Sequence, residues 1–317
     1  MSHITIRIVA ALALSAAPLA ANAQSFRAYL ASYGSDSNPC TAQQPCRLLP
    51  AALNAVVDGG QVWILDSANY NQDTVLVDKN VSIGAVPGQT GSFLAVRGGP
   101  ALRIQSRTVN LRNVAIGWNS TTTGANGIEI YSGIVSIENS LFDSLPDAGI
   151  YMEGGVLNVK NSDFRNVVGF PIWARTTSSG GMKDPTVNVT SSHFHGGFSG
   201  LLIDGADASQ TAVLNVTDCE IAGRSINNGV GVLARAEVAG STARAYVTRS
   251  TVFNMANGLS SDANNGGVAS LTFSGSTITG NDSGVLQLGG TLTSLGNNHI
   301  LDNRDDVIGT LSTAPLR

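Results

Sequence analysis

The sequence predicts an all-β chain wound as a single parallel β-helix of about ten coils, and three observations predict it. The first is a short pattern that recurs eight times. It reads apolar, any, apolar, any, a small or polar residue, two more, then apolar, and it begins at Val109, Val135, Leu157, Val187, Leu214, Ala245, Leu271 and Thr293. The second is strict alternation of apolar and polar residues, the signature of strands with one buried side, with no room between units for a crossover helix. The third is composition: 43% of 317 residues are hydrophobic, 13% are charged and 36 are Gly. That balance excludes disorder and a coiled coil. Strands this short, repeated this way, bury their apolar faces only by stacking coil upon coil.

Residues 1–23 read as a secretory signal peptide. Arg7 supplies the charged start, Ile8 to Ala20 the apolar stretch, and Ala21-Asn22-Ala23 the cleavage site. Thirteen apolar residues are too few to span a bilayer. No later segment is apolar enough, so the expected product is periplasmic or secreted, without an integral membrane segment. Export permits disulfides. Cys40 and Cys46, in a short loop with a proline before each, read as a bridge; a zinc pair is the alternative, although no matching His or Cys pair follows. Cys219 is left over and reads as a small packed thiol. Arg47 to Val57 reads as a short amphipathic helix with Pro50 in its first turn. It is expected to cap the open end of the stack, whose unpaired backbone otherwise invites aggregation. Residues 24–60 thus form an opening and capping segment, 61–312 the β-helix and 313–317 a frayed tail.

Within the repeats the starting positions lie 26, 22, 30, 27, 31, 26 and 22 residues apart. The core unit is near 22, and longer units carry insertions. Each unit has a second alternating piece, usually opened by glycine, as in Gly127-Ile-Glu-Ile, Gly149-Ile-Tyr-Met, Gly200-Leu-Leu-Ile and Gly284-Val-Leu-Gln. Asn113, Asn139 and Asn161 fall at one corner, where amides can hydrogen-bond up and down the stack; Ser191, Asp218, Arg249 and Gly275 interrupt the column before Asn297. Beside it runs a column of small residues: Ser140, Ser162, Ser192, Cys219, Ser250 and Ser276.

The segment Tyr33-Gly-Ser-Asp-Ser-Asn-Pro-Cys, followed by Pro45-Cys-Arg and Ala51-Ala-Leu, resembles the opening motif of right-handed parallel β-helix proteins of the pectate-lyase-like superfamily. In those proteins a G-x-D-x-N stretch precedes a cap helix and the first coil, as Gly34-Ser-Asp36-Ser-Asn38 does here. The likeness continues through Gly60-Gln-Val-Trp-Ile-Leu, Tyr70, Lys79-Asn-Val-Ser-Ile and every repeat. It implies a right-handed solenoid and says little about activity, because that fold hosts lyases, hydrolases, esterases, epimerases and non-catalytic proteins. The R-x-P-x-x-R of pectate lyases is absent, as are the N-T-D, G-H-G and R-I-K motifs of polygalacturonases. Asp305-Asp306 resembles the paired aspartates of those hydrolases only superficially and reads as a solvated turn. No catalytic residue carries over.

The resemblance further implies a groove on the sheet made by the glycine-opened strands. Alternation sends two columns outward there: Glu129, Tyr151, Trp173, Leu202 and Leu233, then Tyr131, Glu153, Arg175, Asp204, Arg235 and Asp262. Tyr151 and Trp173 are expected to form a flat platform for a sugar, with Tyr131 and Arg235 as further binding residues. Glu153, Arg175 and Asp204 are the catalytic candidates: an arginine can clamp a uronate, and carboxylates serve as acid, base or calcium ligands. Insertions near 176–186 and 205–212 are expected to wall the groove. An exposed face with an ordinary salt ladder is the plainer reading of the same columns.

A second cluster, Asp143, Asp163, Arg165, His193, His195 and Glu220, is expected to point outward after the Asn corner. His193 between Asp163 and Glu220 could be a base or metal ligand, although the spacing matches no zinc pattern and a hydrated polar face is the plainer reading. Net charge is −4 with no basic cluster, which argues against nucleic acid. No nucleotide motif occurs, no cofactor is implied, and calcium has only the outward acids to recommend it. Three functions remain: a glycan-binding or surface-interaction module, a lyase or hydrolase acting on an acidic polysaccharide, and a structural cell-surface component.

Overall fold

The computed structural model describes residues 24–105, 107–119, 124–177, 184–227 and 229–315; the expected signal peptide and the last two residues of the expected tail lie outside them. The chain winds as a parallel β-solenoid with three sheets. Among the described residues sheet 1 has twelve strands, from Ser25–Leu30 to Leu311–Thr313, and sheets 2 and 3 have ten each. One coil runs through Ile128–Ile130 in sheet 3, Gly133–Glu138 in sheet 1 and Leu141–Asp143 in sheet 2 before Ile150–Met152 begins the next. Ten strands in a sheet are separated by nine repeats, so the stack makes about nine turns rather than ten.

Register explains why the repeats align. Val109, Val135, Leu157, Val187, Leu214, Ala245 and Leu271 pair in sequence down sheet 1, all buried. Inside sheet 2, Phe142, Phe164 and Phe194 stack with centroids 4.4 and 4.8 Å apart. The eighth repeat departs from expectation: Leu271 pairs with Leu292, not Thr293. Leu292 is buried, and the following corner is one residue longer, so the pattern resumes at Ile300 opposite Ile278.

The corner between sheets 1 and 2 has a physical reason that its amides disguised. Asn113, Asn139, Asn161, Ser191, Asp218, Arg249 and Gly275 all have φ between 46° and 58°. This is the left-handed region, which Asn and Gly enter at least cost. In the eighth repeat Gly296, not Asn297, takes it, at φ 82°; Asn297 Oδ1 instead accepts from Gly275 N at 2.9 Å. At the exposed pair that replaces asparagine, Arg249 donates to both Asp218 oxygens at 2.8 and 2.9 Å. The Asn113 amide does reach the preceding coil, donating to Ala85 O at 3.2 Å, but the amide-to-amide ladder lies on sheet 1, where Asn188 donates to Asn158 and Asn215 to Asn188 at 2.9 and 2.8 Å.

The small-residue column is a hydrogen-bond ladder. Ser162 Oγ donates to Lys160 O at 2.9 Å and accepts from Ser140 N at 3.2 Å. Ser192, Ser250 and Ser276 repeat the arrangement. Cys219 stands in a serine position; burial pushes its thiol pKa up.

The cap helix spans Leu49–Ala55, shorter than Arg47 to Val57, because Val56 already has extended φ and ψ and enters sheet 1. Leu49, Ala52 and Leu53 face the core. Asp36 Oδ1 accepts from Arg47 N and Leu48 N at 2.9 and 2.8 Å, and Lys79 Nζ donates to Leu53 O and Val56 O near the helix end. Cys40 and Cys46 form the disulfide. A Cβ at Gly34 would lie 2.3 Å from Cys46 O, so the G-x-D-x-N stretch works in closing the cap.

Replacing Ser162 with Ala leaves the buried Ser140 N–H without its acceptor. The expected loss is about 1–3 kcal/mol of unfolding free energy, measured by urea denaturation, whereas Cys219→Ser, which restores the ladder's usual hydroxyl, changes it by less than about 1 kcal/mol.

Candidate functional site

Sheet 3 carries the expected columns in the expected register. Arg103, Glu129, Tyr151, Trp173, Leu202 and Leu233 are successive partners. Arg175, Asp204, Arg235 and Asp262 are partners one step beyond. The opening glycines allow this stacking: a Cβ at Gly127 would lie 2.5 Å from Gly149 O, and one at Gly149 2.5 Å from Pro171 O.

Arg103 was not foreseen, because its strand lacks the opening glycine. Its guanidinium meets Glu129 Oε2 at 2.8 Å; Tyr131 OH and Asn126 Nδ2 donate to the same carboxylate, each at 3.1 Å. Burial foremost, then Glu129, holds the Tyr131 phenol pKa above its ordinary value. Burial also pushes the Tyr151 phenol up, with Glu153 reinforcing the shift; Tyr151 OH donates to Glu153 Oε1 at 3.2 Å.

Two expectations are corrected. Tyr151 and Trp173 do not make a flat platform: their centroids are 5.2 Å apart at 78°, edge to face, the arrangement that suits two ring quadrupoles. Phe170 extends the group, 6.3 Å from Trp173. Leu202 and Asp204 are not surface residues, each being only 2% exposed. The ladder neighbours Trp173 and Leu233 flank Leu202 with larger or equal bulk. Asp204 lies beneath two guanidiniums, with Arg235 Nη2 at 3.0 Å and Arg175 Nε at 3.5 Å from Oδ2. Arg175 keeps 42% of its side chain exposed, while Arg235 also lies 3.9 Å from Glu237. For Arg235, burial lowers the pKa but the Asp204 bond outweighs it, and the net shift is upward.

Of the expected walls, 178–183 lie outside the described residues. Thr176 Oγ1 accepts from Ala206 N and Asp207 N, each at 2.8 Å, tying the two loops together. Asp147 was also missed; it lies in the turn before Ile150–Met152. Burial first, and Glu129 second, raise its carboxyl pKa.

On sheet 2, Asp163, His193 and Glu220 share one row and Asp143, Arg165 and His195 the next. Asp163 binds Arg165 at 2.7 Å and His193 Nδ1 at 3.1 Å. Glu220 turns to His195, 3.7 Å away, although its register partner is His193; the two imidazoles stack nearly parallel with centroids 5.8 Å apart. Asp143 accepts from Ser144 and Asn166. Among the described residues no three His, Cys, Asp or Glu side chains converge to hold a metal. Asp305 and Asp306 lie in the strand Asp305–Ile308, not in a turn, and both are exposed; Arg304 engages Asp305 and Asn303 engages Asp306. No described helix is long and apolar enough to cross a membrane.

The chain is similar to pectate lyase Pel9A, with a TM-score of 0.64 and 15% identity over 87% of this chain and 78% of that one. The fold is that of the pectate-lyase-like parallel β-helix. A lacto-N-biosidase of the GH136 type from Eubacterium ramulus aligns with TM-score 0.58 and 11% identity, over 92% and 68% of the two chains. XylC, solved in complex with xylose, aligns at 0.59 and 8%, over 86% and 69%. No protein-family model matches the sequence, and no curated protein matches it. Identities this low carry the β-helix architecture alone.

Asp147 supplies a pH prediction. Because its folded-state pKa is raised, its ionisation costs stability as pH rises through that value and costs nothing below the unfolded value near 3.9. Asp147→Asn is therefore expected to raise the melting temperature at pH 7 and leave it unchanged at pH 3, as followed by circular dichroism.

Proposed function

We propose that this chain is an exported β-helix protein that holds a glycan against sheet 3 without cleaving it. The observation that carries this reading is the state of the carboxylates. Asp204 is buried beneath Arg175 and Arg235, and Glu129 is held by Arg103, Tyr131 and Asn126. Groups so engaged orient their partners and are not free to move protons to or from a sugar. What faces outward is Tyr151, Trp173 and the half-exposed Arg175, suited to the C–H face of a pyranose and a hydroxyl beside it. Glu129, Glu153, Asp204, Glu237 and Asp262 outnumber Arg103, Arg175 and Arg235 on this face, which favours a neutral sugar over a polyuronate. The second reading is a lyase or hydrolase acting on an acidic polysaccharide. It draws on Glu153, whose carboxylate is engaged, among the described residues, by Tyr151 alone, and on the activities named for the similar structures.

The test is affinity electrophoresis of residues 24–317 on neutral and uronic-acid polysaccharides with calcium, with mass spectrometry of the soluble products. Retention by a neutral glycan without new chain ends is expected, weakened at least about tenfold (about 1.4 kcal/mol) by Trp173→Ala. Unsaturated or newly hydrolysed ends, lost in Arg175→Ala and Glu153→Gln, would establish the enzyme instead.

A further inference from the structure

Away from sheet 3, the outer face of sheet 1 holds a cleft of about 510 Å³, a size typical of small-ligand sites. One row of that face runs Trp63, Gly84, Arg112, Glu138 and Lys160 in successive register. Gly84 leaves the row without a side chain at its second position. Strands lie about 4.8 Å apart, so Trp63 and Arg112 stand about 10 Å from each other across the notch. Beside them runs a polar row, Gln61, Ser82, Asn110 and Ser136, and Pro87 stands at the side. Alternation explains both rows, since Val62, Ile83 and Leu111 between them point into the core.

The walls are preorganised on one side and unsatisfied on the other. Gln61 Oε1 accepts from Trp63 Nε1 at 3.0 Å and from Arg27 Nε and Nη2 at 3.2 and 3.0 Å. Arg27 also lies 4.7 Å over the indole. Since Arg27 is not a wall of the cleft and Trp63 is, the ring is fixed in place with an edge or face turned to the notch. Asn110 Nδ2 donates to Ser82 Oγ at 3.1 Å, which leaves the asparagine carbonyl for a hydroxyl. Arg112 is exposed, and among the described residues its guanidinium has neither a hydrogen-bond nor an ion-pair partner. Every arginine on sheet 3 has a carboxylate within 3.5 Å. Arg112 and Glu138 are the charged walls of the cleft, and Arg27 and Lys160 stand on the strands that flank it.

We infer that this cleft binds a single acidic sugar residue, its ring against Trp63 in the space above Gly84 and its anionic group on the Arg112 guanidinium. Asn110, Ser82 and Ser136 take the hydroxyls. A planar carboxylate or a sulfate ester both match the fork of an arginine, and that shared anionic chemistry defines the ligand class. The site lies on another sheet from the one proposed above, and neither depends on the other.

The test is calorimetric titration of residues 24–317, in calcium-free buffer at low salt, with three probes: trigalacturonate, a sulfated galactotriose and neutral galactotriose. Saturable binding of at least one anionic probe is expected, with neutral galactotriose at least tenfold weaker. Arg112→Gln is expected to weaken the anionic probe at least tenfold, and Gly84→Leu, which fills the notch while keeping the arginine, to do the same. Trp173→Ala, on sheet 3, leaves this affinity unchanged. Circular dichroism melts establish that each variant folds; should Gly84→Leu fail to, Asn110→Ala takes its place with a smaller expected loss. Absence of saturable binding of both anionic probes, equal affinity for the neutral one, or an Arg112→Gln protein that binds like the parent would each overturn the inference. Loss of binding in Trp173→Ala alone would place the ligand on sheet 3 and overturn it too.

Discussion

The left-handed residue at the corner between sheets 1 and 2 is the constraint on which the rest of the molecule depends. One residue with φ near 50° turns the chain from Glu138 into Leu141 within two positions. Because each coil turns in the same way at the same place, the next serine falls where its hydroxyl can accept the N–H of the serine in the preceding coil. The phenylalanine two positions later then lands on the phenylalanine before it. A coil that turned one residue late would expose its apolar set, since side chains alternate with period two. The eighth repeat turns at the usual place, with Gly296 four positions after Leu292, and carries its extra residue after the turn, so that Leu292 and Ile300 remain opposite Leu271 and Ile278. The corner can lengthen; the strands cannot slip.

That hierarchy accounts for what the sequence made legible. Strand alternation and the small-residue column repeat because backbone geometry demands them in every coil, and repetition is visible without a structure. Asn113, Asn139 and Asn161 were visible as a column, but their side-chain chemistry suggested an amide ladder when the backbone conformation was the cause. The αL reading was available in the substitutions themselves: Gly275 can stand for Asn161 in a left-handed turn, whereas it cannot in an amide ladder. A second left-handed column after sheet 2, through Ser144, Asn166, Asn254 and Asp302, escaped notice because its residue types vary more.

The candidate site was legible in register and illegible in packing. Alternation placed Glu129, Tyr151 and Trp173 in one row and Arg175, Asp204 and Arg235 in the next, as the pairing has them. It could not give the angle between two rings, nor the collapse of two long arginines onto a short aspartate, because both depend on side-chain length in three neighbouring coils. Arg103 and Asp147 lay outside the glycine-opened pattern and so outside the columns it defined. The cleft on sheet 1 was hidden for a related reason: its decisive residue, Gly84, is recognisable only by the side chain it lacks.

Compensation of charge distinguishes the two faces more sharply than composition does. On sheet 3 each guanidinium is spent on a carboxylate, and burial of Asp204 makes that pairing obligatory, since an unpaired charge there would carry a large desolvation cost. A ligand reaching that surface meets groups already satisfied and gains mainly from the aromatic rings. On sheet 1 the glycine between Trp63 and Arg112 removes the side chain that would have occupied the notch, and Glu138, one coil on, is in no ion pair among the described residues. An incoming anion there meets a guanidinium that no described carboxylate holds. Since a parallel solenoid fixes the spacing of all rows alike, the proposed difference between the two faces rests on single positions in the ladder that are left short, Gly84 on one and Asp204 on the other.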